Sequence, residues 1–343
     1  MDKKRILIFG VVLLILSLLV YLQFRAWKTF DWATFRNSTE HVRKVNLLAG
    51  VALTYLSYVL RAVRWRIFLK PACKTTTARL LAPQFIGFSA LALLGRAGEM
   101  IRPYIIAKKV RLSFTSQIAV WGVERIFDMG AFALMLALSF LSSDLQTLPF
   151  YRGLREGAFA LMALVLALII GVVVVKRSGE RVGLFLHSLF AGFAPKFADH
   201  VREQVRSFSA GLATIDDFSS ALQLVALSVF MWMPIAFAYY AITHAYGGKL
   251  ATLSLPQQVV LMGSSMLGSM LQLPAVGGGQ QVAAIAMLHS GFGIEQELAV
   301  SCGILIWAVT FMSVIPVGLL LVHREHLSIR AVAEEQLEAA LAK

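Results

Sequence analysis

The chain has 343 residues, 58% of them hydrophobic and 15% charged, where a soluble domain carries about 25% charged residues. That composition excludes an ordinary soluble enzyme and predicts an all-α, polytopic membrane helix bundle. The net charge is +13, but Lys and Arg flank apolar runs as in cytoplasmic loops, so an anionic membrane lipid is the expected partner and nucleic acid is not.

The first element in chain order is the run MDKKRILIFGVVLLILSLLVYLQF. It starts basic like a signal peptide, but it lacks a small-residue cleavage site and its apolar run is too long, so it reads as a retained span over 5–24. Residues 25–44 interleave Arg25, Lys28, Arg36, Arg43 and Lys44 with Trp27, Phe30, Trp32 and Phe35, the mixture of a segment lying in the membrane interface. A second span covers 45–68. Arg61, Arg64 and Arg66 around Trp65 near its end read as headgroup anchors.

The stretch 77–109 is apolar but interrupted by Gly95-Arg96-Ala97-Gly98 and by Pro103, leaving two pieces too short to span. Spans follow at 116–141 and 157–175, then a basic loop over about 176–218, then a span at 219–245. A second interrupted stretch, 256–291, is broken by Pro274 and by Gly277-Gly278-Gly279. The last span is 297–322, and 324–343 reads as a cytoplasmic tail behind a single transmembrane domain, 1–323.

Loop charge sets the count of crossings. Residues 61–79 hold six Lys/Arg and no acid, and 176–206 hold six against three acids; both belong on the cytoplasmic side. They share that side only if 77–109 enters and returns. The acidic pair Glu295 and Glu297 stays outside only if 256–291 does the same. Six full spans plus two re-entrant broken-helix hairpins satisfy these loops, with both termini cytoplasmic. Residues 25–44, placed outside by this count, are more basic than that side favours. Hairpins entering from opposite faces would admit an inverted pseudo-symmetry, the plan by which transporters build a midplane site.

Three constellations can carry chemistry. Arg96, Glu99 and Arg102 fall three apart and on a helix line one side, beside glycines that let the backbone bend. Broken backbone and charge inside a membrane are tolerated where they line a watery cavity. This stretch therefore predicts a cationic wall, with Glu99 holding an arginine and the guanidinium forks suited to phosphate. Glu124, Arg125 and Asp128 occupy one span, as a structural ion pair or a proton-coupling group. In the second hairpin, Gln272, Gly277, Gly278, Gly279, Gln280 and Gln281 offer amides and a half-helix N-terminus to an anion; close helix packing is the alternative use of such glycines. No catalytic set is legible, no metal site is expected from Cys73 and Cys302, and no cofactor motif is present in the sequence.

GRAGEMIRPYIIAKK (95–109), then ERIFD (124–128), then LPAVGGGQQ (273–281) together resemble the transmembrane region of lysylphosphatidylglycerol synthases, which also occurs alone as a flippase-like family. The resemblance implies movement of a lipid between leaflets of a bacterial inner membrane. It matches Arg96, Glu99 and Arg102 to an R-x-x-E-x-x-R element and Glu124, Arg125 and Asp128 to an E-R-x-x-D element. Many relatives follow the glycines with an acid, whereas Gln280 and Gln281 stand here. In the bifunctional synthases aminoacyl transfer belongs to a separate soluble domain, and none fits after residue 323. The expected activity is thus translocation of an anionic phosphate-headgroup lipid: a phospholipid, an aminoacyl-phospholipid or a polyprenyl-phosphate carrier. An integral-membrane transferase on a lipid phosphate, or a scaffold for a separately encoded lipid-modifying enzyme, is the rival. A homodimer is compatible with either.

Overall fold

The computed structural model describes residues 31–192, 195, 198, 199, 218–273 and 277–325. The expected first span at 5–24, Pro274, most of the 193–217 stretch and the tail beyond Glu325 lie outside the described residues. Helix dominates the rest. Four stretches are long and apolar enough to cross a bilayer: Lys44–Leu69, Thr77–Val110, Leu222–His244 and Gln296–Arg324.

Helix α1 (Trp32–Glu40) starts where the Asp31 carboxylate accepts from the backbone N–H groups of Ala33 and Thr34, two donors that a helix start leaves unpaired. It packs on the later helix Gln296–Trp307. Helix α2 (Lys44–Leu69) has 26 residues, about 39 Å at helical rise. It buries Gly50, Thr54, Ser57, Arg61, Arg64 and Trp65.

Helices α3 (Thr77–Leu94) and α4 (Ile101–Val110) are joined by a 3-10 turn, Gly95–Met100. Thr77–Val110 qualifies as one span by length and composition, but it doubles back. In a straight helix Gly87 and Arg102 would be about 22 Å apart. Instead, a Cβ added at Gly87 would stand 2.4 Å from the Cβ of Arg102, and the Arg79 guanidinium donates to the Lys109 carbonyl at 2.6 Å. The reversal begins at Gly95, whose φ of 65° suits glycine. Gly98 then lies so close to the Ala90 carbonyl that a side chain there has no room.

Helix α5 (Phe114–Ser139) carries Glu124, Arg125 and Asp128. Helix α6 (Tyr151–Ala191) covers the 157–175 stretch, expected as a span, and continues past it. Residues 176–191, expected as the start of a loop, are helical after a kink at Ser178. The stretch holds no proline to stop the helix, and the amphipathic segment from Val182 extends it. Helix α7 (Phe218–His244) runs antiparallel to α2: the Arg43 N–H donates to the Ala245 carbonyl at 3.0 Å, and Arg64 donates to Ser228 at 3.0 Å.

The second hairpin comprises α8 (Leu255–Gly268), the short pairs β1 (Gln272–Leu273) and β2 (Gly277–Gly278), and α9 (Gly279–Ala286). Gly277 and Gly278 of the glycine stretch pair antiparallel with Leu273 and Gln272. Gly278, at φ 115°, opens α9. Helices α10 (Gln296–Trp307) and α11 (Val314–Arg324) follow, separated by a π-helical turn, Ala308–Met312.

The halves mirror one another in order and in packing. Each reads helix, broken hairpin, helix: α2, α3–α4, α5, and α7, α8–α9, α10–α11. Helix α2 packs on α7; α3 packs on α11 as α8 packs on α5; and the two hairpin tips meet, β1 against the Gly95–Met100 turn. Equivalent helices α2 and α7 are antiparallel, as a two-fold axis crossing them requires.

Candidate functional site

Charge gathers where α2, the first hairpin and α5 converge. Arg64 is fully buried and donates to Glu124 and to Asp128, each at 2.7 Å. From the hairpin, Arg102 forms an ion pair with Glu124 and donates to Gln84 at 3.1 Å. Arg125 reaches Asp128 at 2.9 Å and Glu124 at 3.4 Å, with its side chain 40% exposed. Arg61 reaches Asp128 at 3.4 Å. Four guanidiniums thus face two carboxylates, and one positive charge remains even when the nearby Glu99 is counted.

Rings fill the space between these charges. Arg102 lies 4.6 Å from the Trp65 ring and 5.3 Å from Phe88. Arg61 lies 5.3 Å from Phe88 and from Trp232. Rings presented face-on to guanidiniums replace part of the lost hydration. A cleft of about 50 Å³ opens on the cluster, lined by Gly87, Phe88, Glu99, Arg102, Trp121 and Arg125. That is room for a few waters.

The cluster's unsatisfied atoms share one character. Buried without a partner are Nε of Arg61, Arg64 and Arg125 and Nε2 of Gln84. All are donors, in a site already richer in cations than in anions. Buried donors left over call for an acceptor.

The expected wall of Arg96, Glu99 and Arg102 requires correction. Arg102 is buried and Glu99 lines the cleft, but Arg96 is exposed at the hairpin tip. The three do not line one side, because the chain passes through a tight 3-10 turn before α4 begins. Nor does Glu99 hold Arg102, whose carboxylate partner is Glu124 across on α5. Arg61 and Arg64 are corrected too: they are buried ion-pair partners, and only Arg66 of that trio is exposed. Their i, i+3 spacing on one apolar helix, facing an i, i+4 acidic pair on another, was the available signal.

The second hairpin builds a neutral counterpart. Tyr239 on α7 shares hydrogen bonds with Ser265 on α8, Gln280 on α9 and Thr310 in the π turn. Arg64 stands five residues before the end of α2 and Tyr239 five before the end of α7. Because those helices are antiparallel, the charged and neutral groups occupy opposite ends of the bundle. Gln281 and Gly279 are partly buried at the start of α9, and Gln272 meets Gly278 through the backbone pair. Gly277 pairs with Leu273.

A family model described as the lysylphosphatidylglycerol synthase TM region matches residues 7–318. The chain belongs to that family. No curated protein and no solved structure matches it significantly. As a member of the lysylphosphatidylglycerol synthase TM-region family with apolar helices of spanning length, it is an integral membrane protein. Of the three motifs that carry the resemblance to that family, the Arg96, Glu99 and Arg102 element meets the Glu124, Arg125 and Asp128 element through the Arg102–Glu124 ion pair, and Glu99, Arg102 and Arg125 line the cleft.

Proposed function

We propose that the protein is a flippase moving an anionic phosphate-headgroup lipid between leaflets of a bacterial inner membrane, without changing it chemically. The observation that carries this reading is the surplus of positive charge and of buried, unpaired donors in the cluster on which the cleft opens. An arginine fork binds phosphate oxygens in pairs, and in low dielectric the site retains the attraction that water would screen.

In this reading the termini are cytoplasmic, and both hairpins enter the membrane and return. The headgroup reaches the cleft from the side of the basic 61–79 segment. It exchanges with Glu124 for Arg102 and Arg125 while the acyl chains stay in lipid. A cleft of about 50 Å³ is small for a headgroup, so the first hairpin swings from α5 to admit it, with Gly95 as the hinge. The neutral group at Tyr239 and Gln280 releases it on the far side, where hydrogen bonds without net charge hold an anion weakly. Alternating access of this kind uses two inverted halves around one path.

The test is reconstitution of the purified full chain in liposomes containing phosphatidylglycerol labelled on its acyl chain. A membrane-impermeant reductant should bleach well beyond the outer-leaflet half of the label, with the lipid unchanged by mass. Protection of the inner half would sink the flippase reading. A new lipid species would favour the transferase instead.

A further inference from the structure

Behind the cleft, one unpaired donor of the charged cluster, Arg61 Nε, sits with two further buried donors that the cluster does not use. Ser57 Oγ, Arg61 Nε and Trp232 Nε1 are all buried and all lack a hydrogen-bond partner. Ser57 and Arg61 are one turn apart on α2 and share a face. Trp232 stands opposite on α7, its ring 5.3 Å from the Arg61 guanidinium. The three therefore gather at the α2–α7 seam. Arg61 is the least engaged arginine of the cluster, reaching a carboxylate only at 3.4 Å.

Phe88 touches both groups. It lines the cleft, lies 5.3 Å from Arg102 and 5.3 Å from Arg61, and stacks on Tyr58 at 4.6 Å. Along α7 the order is Ser228, bonded to Arg64, then Trp232, then Tyr239 of the neutral group. From Ser228 to Tyr239 is about 16 Å at helical rise, and Trp232 falls between them.

We propose that Ser57, Arg61 and Trp232 form an inner station for a phosphate-type anion, separated from the cleft by Phe88 and lying between the charged and neutral ends of the bundle. The proposal rests on the flippase reading and adds an intermediate stop to it. A path about 16 Å long through low dielectric would otherwise leave an anion unpaired between its two ends, at high cost. Rotation of Phe88 joins the cleft to the station. Donors kept unsatisfied in the resting protein then pair with the passing headgroup.

The test uses Ser57→Ala and Trp232→Phe, since neither removes a hydrogen bond from the resting protein. Ser57→Ala should unfold at or above the parent's temperature in detergent, because it deletes an unsatisfied buried donor; Trp232→Phe also shrinks a buried ring packed on Arg61 and Phe132, so its temperature should fall. Thermal stabilisation by dihexanoyl-phosphatidylglycerol should shrink in both, and flipping in liposomes should fall about tenfold, the loss of one hydrogen bond to a charged group. Inorganic phosphate serves as a second probe. A variant-sensitive shift with both probes assigns the station to the phosphate group itself, and a shift with the lipid alone assigns it to a lipid headgroup. If the parent flips and binds lipid but both variants match it in each readout, the station is overturned and the flippase reading stands. If the parent neither flips nor is stabilised by either probe, both fall. Clear thermal destabilisation of Ser57→Ala would also overturn the station, since it would mean that this donor has a structural partner.

Discussion

At the scale of residues, burial separates arginines that look alike in sequence. Arg64 is buried between two carboxylates, whereas Arg96 is exposed on a hairpin tip. Removing one member of a buried ion pair leaves its partner charged and unsolvated, at about 3–5 kcal/mol. Arg64→Ala should therefore lower stability by that order, measured as unfolding in detergent. Arg96→Ala should change it by less than about 0.5 kcal/mol. Equal midpoints for the two variants would show that the buried pairs are not holding α2 to α5. Glu124 and Asp128 were legible as functional candidates because charge inside an apolar span is expensive. Arg61 and Arg64 were not, because position near a helix end is shared by headgroup anchors and by buried partners; their i, i+3 spacing was a hint that packing had to decide.

At the scale of elements, the hairpins depend on backbone contact that side chains would block. A Cβ on Gly98 would stand 2.2 Å from the Ala90 carbonyl oxygen, whereas one on Gly122 would meet nothing within 4 Å. Backbone on both sides of the Gly98 contact cannot yield as a flexible side chain can. Gly98→Ala is expected to destabilise by about 1–3 kcal/mol. Gly122→Ala, in the middle of α5, should stabilise by about 0.5–1 kcal/mol through its better helix propensity. Thermal midpoints moving in opposite directions would bear this out, and a neutral Gly98→Ala would sink it. The interruption of 77–109 was readable from Gly95 and Gly98, and its doubling back from loop charge, whereas Pro103 sits in the first turn of α4 and breaks nothing. The helical continuation through Ala191 was not, since lysines and arginines mark a membrane edge without ending a helix.

At the scale of the molecule, the two tips meet at the centre of a mirrored arrangement, with β1 against the Gly95–Met100 turn. If the first hairpin must swing to load the cleft, tying the tips together should stop transport. A chain with Cys73 and Cys302 replaced, and one new cysteine in each tip, should cross-link with a short bismaleimide. Flipping should then fall at least tenfold while the protein stays folded. Full activity after complete cross-linking would exclude movement of the hairpin tips relative to one another. The reciprocal packing of the halves could not be seen from residue identity, because one half carries arginines and carboxylates where the other carries Tyr239, Ser265, Gln280 and Thr310. The halves share an order of elements, while their side chains carry different chemistry.

Sequence alone determined the solvent and the punctuation of this protein. Apolar runs near bilayer length can be satisfied only as helices in lipid, and glycine acts locally, so the two breaks declare themselves. Tertiary structure alone decided which charges meet. Arg61, Arg64, Arg102, Glu124 and Asp128 come from three separate elements, and a pair's strength depends on distance and dielectric, neither of which exists until the helices have packed.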